Sequence, residues 1–486
     1  MRHDREGVRA LVNRREFLAL AGSSALAQTG FSQARPDITL RISPVNIEIA
    51  PGHVIKTTGY NGSVPGPVLR VKEGQPVLIE VHNDTSIPEL VHWHGLQVPS
   101  EVDGAAEEGT PFIAPRASAR YSFIPKPSGT RWYHTHVSAG RDLKRATYSG
   151  QYGFLYIEPK QEPEAFDAEY FLALHGWDPF MSTMGDDEGG LEVAYKRYSI
   201  NSHALGSGEP LRVKAGQRVM LRILNASATM LHRLALPDHT FRVVALDGNR
   251  VPTPRDVEVL ELGPAERIDA IVKMDRPGVW ILGEPDNRMR DAGLGVVVEY
   301  EGRSGAPMFE TLGLPPGAVV SAVTSVPIHI GPWDYTQFGE GRFSNRGPRP
   351  EPEVVPLVFK QKFAGNRWVD HWTINGKEFP KTDPIRVTAG RRYRMVFDNQ
   401  SDEAHPVHLH RHSFELTKFA GVPMSGVMKD VVMVPPRKQV EVDFVADNPG
   451  PTLFHCHQQM HMDYGFMAMV EYAGYQAPAM APHRQE

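Results

Sequence analysis

Three stretches of this chain repeat one another around a glycine, and that threefold pattern limits the fold more than any other feature. The first reads Leu69-Arg70-Val71-Lys72-Glu73-Gly74 and continues as Val77-Leu78-Ile79-Glu80-Val81-His82-Asn83. The second is Leu211-Arg212-Val213-Lys214-Ala215-Gly216 with Val219-Met220-Leu221-Arg222-Ile223-Leu224-Asn225. The third is Ile385-Arg386-Val387-Thr388-Ala389-Gly390 with Tyr393-Arg394-Met395-Val396-Phe397-Asp398-Asn399. In every copy an arginine lies four residues before the glycine and an asparagine nine after it. Apolar residues alternate in between, the period of a half-buried strand. Another asparagine precedes each copy: Asn61, Asn201 and Asn375.

The ends of the copies also correspond. Pro127-Ser128-Gly129 leads to His134-Thr135-His136, and Asn448-Pro449-Gly450 leads to His455-Cys456-His457, the first histidine five residues after the glycine in both. The middle copy runs from Pro277-Gly278 to Gly283-Glu284-Pro285, the same frame without metal-type residues. Each copy closes on an apolar run: Gly153 to Ile157, Gly295 to Tyr300, and Met467 to Tyr472. Short alternating strands with turn signals predict an all-β chain of three Greek-key β-sandwiches. The expected domains are 36–160, 161–300 and 355–475, with the Gly- and Pro-rich segment 301–354 as a connection. A length of 486 residues suits three such units.

The N-terminus reads as an address. Arg14-Arg15-Glu16-Phe17-Leu18 resembles a twin-arginine signal, the apolar run Leu18 to Ala27 follows, and Ala25-Leu26-Ala27 offers small residues for cleavage. Residues 1–35 are therefore expected to be a signal peptide and spacer, and the mature chain periplasmic or secreted. No window is long and apolar enough for a membrane span. A net charge of -5, with no basic block beyond the first fifteen residues, excludes a nucleic-acid partner.

The single cysteine, Cys456, stands between two histidines, with His461 shortly after. It cannot form an intramolecular disulfide, so it is a free thiol, a core residue or a ligand, and its neighbours must decide. Three further histidine clusters exist: His92-Trp93-His94, His134-Thr135-His136 and His405-Pro406-Val407-His408-Leu409-His410. On a strand, residues i and i+2 share a face. In His455-Cys456-His457 the imidazoles therefore point one way and the thiol the other, so the cysteine serves one metal centre and its neighbours a second. His408 and His410 share a face, and His405, at odd spacing, takes the other. That pairs His405 with Cys456, and His461 completes the set. A His2Cys trio is the blue-copper arrangement, suited to one-electron transfer. The remaining eight histidines suffice for three more copper ions, whereas structural zinc takes four ligands in compact spacing.

These four motifs, in this order, resemble those of three-domain multicopper oxidases of the laccase and bacterial copper-efflux oxidase group, over nearly all of the mature chain. The resemblance implies cupredoxin sandwiches, four copper ions and dioxygen as electron acceptor; separately, a monomer is expected. It implies that His405, Cys456 and His461 bind type 1 copper and that His92 and His408 hold type 2. One type 3 ion falls to His94, His134 and His457, the other to His136, His410 and His455. Electrons would pass from a reductant through Cys456 and the adjoining His455 and His457. Asp103, in Glu101-Val102-Asp103-Gly104, matches the family's acid near the cluster and is the expected proton relay. The family places an axial Met, Leu or Phe ten residues after the cysteine, and here that position is Phe466; Met467 is adjacent. His412, His175, His232, His239 and His371 are expected to be ordinary packed or surface histidines.

The reductant divides the enzyme reading. A phenolic or aromatic substrate is preferred; the alternative is a cuprous or other metal ion in copper tolerance. A methionine-rich insertion is absent, since 301–354 holds only Met308. Met424, Met428, Met460 and Met462 nevertheless lie in segments expected near the type 1 site, as packing or as soft ligands. A copper-free scaffold, a copper store and a nitrite reductase are the other classes weighed. Retention of every ligand position, the electron-transfer cysteine and the paired type 3 motifs speak against them in turn.

Overall fold

The structure is a computed structural model describing residues 35–162, 164–183, 191–310, 333–340, 350–363 and 369–475. The twin-arginine segment and much of 301–354 lie outside the described residues. Every strand and helix among the described residues belongs to the unit Ile38–Glu486. No helix among them is long and apolar enough to cross a membrane.

Each repeat contributes two sheets, and the repeated stretch is shared between them. Val77–Asn83, Arg218–Asn225 and Arg392–Asn399 each pair in parallel with the first strand of their own copy: Ile38–Ala50, Ala168–Thr183 and Glu353–Lys362. The alternation read from the sequence becomes burial: Tyr393, Met395 and Phe397 point into the core, while Arg392, Arg394 and Val396 are only half-buried. The other sheet carries the histidine motifs. In the first repeat it contains β1 (His92–His94), β2 (Gly129–His134) and β3 (Tyr152–Glu158). In the second it contains β4 (His232–Ala235), β5 (Val279–Gly283) and β6 (Gly295–Tyr300). In the third it contains β7 (His405–Leu409), β8 (Thr452–Cys456) and β9 (Met467–Tyr472). The order is the same three times, with the short strand before the repeat glycine pairing in parallel with β3, β6 or β9.

The repeated asparagines have a structural reason. Asn61, Asn201 and Asn375 adopt φ of 54°, 52° and 51°, a left-handed turn that Asn tolerates better than most residues. Each Oδ1 accepts from a backbone N–H on the first strand of its copy: Arg41 at 2.7 Å, Ala173 at 2.8 Å and Val358 at 2.8 Å. Each Nδ2 donates to a carbonyl two residues earlier on that strand. The second set, Asn83, Asn225 and Asn399, is buried and ties the strand end to the loop entering the histidine sheet through paired Nδ2 bonds.

Strand register extends the correspondence further than the motifs do. β1 sets His92 opposite His134, β7 sets His408 opposite His455, and β4 sets Ala235 opposite Gly283. Aligning the ladders places Thr135 and Glu284 in the position of Cys456, and Glu89 and His232 in that of His405. Thr135, Glu284 and Cys456 donate their backbone N–H to the carbonyls of Gln151, Leu294 and Phe466 at 3.1, 3.2 and 3.1 Å. His232 lies 2.8 Å from Ser227 Oγ through Nε2, as His405 lies 2.8 Å from Ser401 Oγ. Helix α1 (Asn287–Asp291) puts Met289 where α2 (Gln459–Asp463) puts His461. The middle repeat thus keeps one histidine of the set while Glu284 and Met289 occupy the other two positions.

Replacing Asn201 by Ala removes two side-chain hydrogen bonds and leaves the left-handed turn without the polar side chain that makes Asn tolerant of it, at a cost of about 2–3 kcal/mol. Urea unfolding should show that loss with the ligand residues untouched; an unchanged midpoint would contradict the role given to these asparagines.

Candidate metal centre

Two clusters lie on opposite faces of the strand end β8. On one face Cys456 Sγ is 3.8 Å from His405 Nδ1 and 3.6 Å from His461 Nδ1, and these two nitrogens are 3.2 Å apart. All three side chains are buried. Each imidazole is turned by its far nitrogen: His405 Nε2 meets Ser401 Oγ, and His461 Nε2 lies 3.2 Å from Glu403 Oε2. Trp372 closes over both rings, with centroids 4.6 and 4.2 Å away. Phe466 is fully buried with its ring 5.0 Å from His405. Met467 points to the other face, where it packs with Ala105, Leu453 and Met462.

On the other face eight histidines converge from the first and third repeats. The rings of His92 and His410 stack at 4.1 Å, and those of His94 and His408 at 3.8 Å. His136, His410 and His455 bring ligand atoms within 4.8 Å of one another, as do His92, His94 and His134, and His92, His408 and His410. His457 lies beside His94 and His134, at 5.1 and 5.2 Å between centroids. His412 stays outside, its Nδ1 against the His410 carbonyl and its Nε2 against Tyr472 Oη at 2.6 Å.

The donor set fits copper. Within the eight-histidine cluster five imidazole nitrogens are buried with no hydrogen-bond partner: Nε2 of His92, His136 and His408, and both nitrogens of His457. Native interiors rarely leave such atoms unsatisfied, and a neutral imidazole lone pair is a copper ligand. Burial holds seven of the eight rings well below the usual histidine range, His410 near 4 and His457 near 3, so they are neutral. Burial also pushes the Cys456 thiol up and His461 down to about 3. A cation seated among them would favour the thiolate, as metal binding does generally.

Asp103 is fully buried between the two repeats, with Oδ2 2.8 Å from His410 Nδ1 and 3.0 Å from His92 Nδ1. Burial would raise its carboxyl, yet the imidazole groups of His92 and His410 outweigh it and hold Asp103 well below the carboxylate range. No motif marks Glu108. It lies 3.3 Å from His410 Nδ1 and accepts the Leu453 N–H at 2.6 Å. Burial, then repulsion from Asp103, pushes Glu108 well above its usual range, opposite to Asp103. A small cavity reaches this cluster, lined by His134, His136, His455, His457, Gln459 and Met462. Met462 therefore borders the eight-histidine cluster rather than the cysteine site. Met424 and Met460 are buried in the main core and Met428 is half-buried.

Comparison with known proteins agrees with this geometry. Sequence profiles described as multicopper oxidase match residues 41–162, 180–293 and 354–474. A multicopper oxidase of Mycobacterium tuberculosis, MmcO, is 30% identical, covering 89% of this chain and 86% of that one. Laccase-1 of Thanatephorus cucumeris is 25% identical over 87% and 88% of the two chains. The crystal structure of a multi-copper oxidase from Pseudomonas Thermotolerans superposes with a TM-score of 0.66 at 27% identity, covering 90% of this chain and all of that one.

Neutral buried histidines have a pH signature. His457 and His461 titrate near 3 in the folded chain against ~6.5 when unfolded, so between these values the unfolded state binds more protons. Stability of the metal-free protein should fall as pH drops below ~6.5, by up to about 1.4 kcal/mol per pH unit for each such ring. Urea titrations of metal-free protein across that window measure the slope, and a flat profile would refute the neutral-cluster description.

Proposed function

Because the chain belongs to the multicopper oxidase family, we propose that it is a laccase-like oxidase coupling one-electron oxidation of phenolic or aromatic substrates to reduction of dioxygen to water. The observation that carries this reading is Cys456, whose thiol meets His405 and His461 while the flanking His455 and His457 enter the eight-histidine cluster. We assign type 1 copper to His405, Cys456 and His461, with Phe466 as its non-coordinating axial neighbour, and type 2 copper to His92 and His408. Type 3 copper falls to His94, His134 and His457 and to His136, His410 and His455. When bound, the four ions supply the one-electron steps and the four-electron reduction of dioxygen.

The chain's own residues supply the rest. Cys456 is one peptide bond from both His455 and His457, so covalent bonds join the two centres. Trp372 and the buried core keep water from the thiol. Glu403, its Oε2 3.2 Å from His461 Nε2, is placed to accept the proton that a phenol releases as it gives up an electron. Protons for water formation come through Asp103 and Glu108, which face the cluster from beneath His410. We take the domains as 36–160, 161–300 and 355–475 joined by 301–354, and the mature protein as a monomer exported through the twin-arginine signal in 1–35. A metal-ion reductant is the second reading. Glu192 hydrogen-bonds Glu403, whose Oε2 is 3.2 Å from His461 Nε2, and these carboxylates suit a ferrous or manganous ion better than a cuprous one.

Oxygen uptake by the copper-loaded mature protein, with a simple phenol against chelated cuprous and ferrous ions in one buffer, tests the proposal. Faster uptake with phenol is expected; preference for an ion would transfer the assignment to a metallo-oxidase, and no uptake with any would overturn it. Phe466→Met introduces a thioether donor beside His405 that stabilises the oxidised ion. A lower type 1 potential is expected by redox titration, and an unchanged or higher one would remove Phe466 from the axial position.

A further inference from the structure

One ring of the eight-histidine cluster is held the opposite way round from its neighbours. His92, His134, His408 and His455 each set Nδ1 against a backbone carbonyl, of Asp103, Thr135, Asp430 and Cys456 respectively, and turn Nε2 toward the centre. His94 instead has Nε2 3.1 Å from Oδ1 of Asp430 and Nδ1 facing His134 Nε2 at 3.4 Å. A carboxylate only accepts, so the hydrogen of His94 sits on Nε2 and the lone pair on Nδ1.

Asp430 is fully buried and grips two repeats at once. Its side chain holds His94 of the first repeat, and its carbonyl accepts from Nδ1 of His408 in the third at 2.7 Å. The carboxylate is itself clamped from the middle repeat. Arg267 donates through Nη1 to Oδ1 at 2.8 Å and through Nη2 to Oδ2 at 2.6 Å, the two-pronged contact that only a guanidinium makes. Arg131 adds a third donor at 3.3 Å. Asp247, also from the middle repeat, fixes the backbone on either side by accepting the N–H groups of Val431 at 3.1 Å and Asp430 at 3.3 Å. Lys429 closes the network, 3.0 Å from both Asp247 and Glu266. Arg131, Arg267 and Lys429 thus balance Asp247, Glu266 and Asp430, all buried.

We propose that Asp430, clamped by Arg267, is a positioning residue that sets the His94 tautomer and aims His94 and His408, so that the middle repeat, without copper ligands of its own, controls occupancy of the three-copper centre. The proposal rests on the ligand reading given above. Neither Asp430 nor Arg267 touches Cys456, His405 or His461, so the cysteine site reports independently on folding.

The test uses the full chain with Asp430→Asn, which keeps shape and removes charge, and Arg267→Lys, which keeps charge and removes the fork. Each is loaded with copper and assayed for copper per chain, for the cysteine-to-copper absorption band and for the type 2 electron paramagnetic resonance signal. Nitrogen-15 NMR of the metal-free wild type reports the His94 tautomer. Expected are an intact absorption band, copper falling from four per chain toward one in Asp430→Asn, an intermediate loss or altered type 2 signal in Arg267→Lys, and His94 protonated at Nε2. Four coppers with an unaltered type 2 signal in both variants would overturn the proposal. If neither variant folds, the wild-type NMR decides: His94 protonated at Nδ1 overturns it and at Nε2 supports it. A wild type that loads copper without the absorption band would instead sink the ligand reading.

Discussion

The alternation of side chains along one strand end holds this molecule's chemistry together. At β8 the backbone sends Cys456 to one face and His455 and His457 to the other, and two metal-binding clusters become neighbours joined by covalent bonds. A helix would not separate i from i+1 and i−1 in this way, so the sandwich architecture is a condition for the site rather than only its support. The same rule sends Phe466 toward His405 and Met467 away from it.

Threefold register gives the site its scaffold. In every repeat the residue corresponding to Cys456 closes the same backbone bond to the strand that follows, and in every repeat it is buried. The repeats differ in what fills the pocket so formed. The third has thiol and imidazoles. The first has a hydrogen-bonded polar group, with Glu89 accepting from Gln151 at 3.0 Å beside Thr135. The second has His232, Glu284 and a flanking methionine. A backbone frame that tolerates such different occupants explains how one repeat can specialise in metal binding while another becomes structural.

Much of this was legible in the sequence. The glycine and asparagine spacings gave away the strands and their repetition, because left-handed turns and buried amide ties restrict which residues will serve. The histidine motifs gave away both clusters, because parity alone separates Cys456 and His405 from His408 and His410. Glu108, Asp430 and Arg267 were not legible. They act across separations of hundreds of residues and belong to no short motif, and charged residues ahead of a strand are common without consequence. His232 was hidden for a simpler reason: it lies seven residues after Asn225, whereas His405 lies six after Asn399. Only the strand ladder, which ignores loop length, brings the two into correspondence.

The buried ion network then has a geometric rather than an energetic purpose. Buried ion pairs add little net stability, because desolvation offsets most of their attraction. Three cations and three carboxylates drawn from three repeats nevertheless admit few arrangements in which every charge is paired. An apolar interface of the same area would tolerate small slides between the sandwiches. A guanidinium fork on a carboxylate does not, and the carboxylate here also holds His94. Since His92 and His94 come from one sandwich and His408 and His410 from another, any slide would separate rings that now stack at 4.1 and 3.8 Å. A centre assembled from two repeats requires a third element that registers them, and the middle repeat meets that requirement through Arg267 and Asp247.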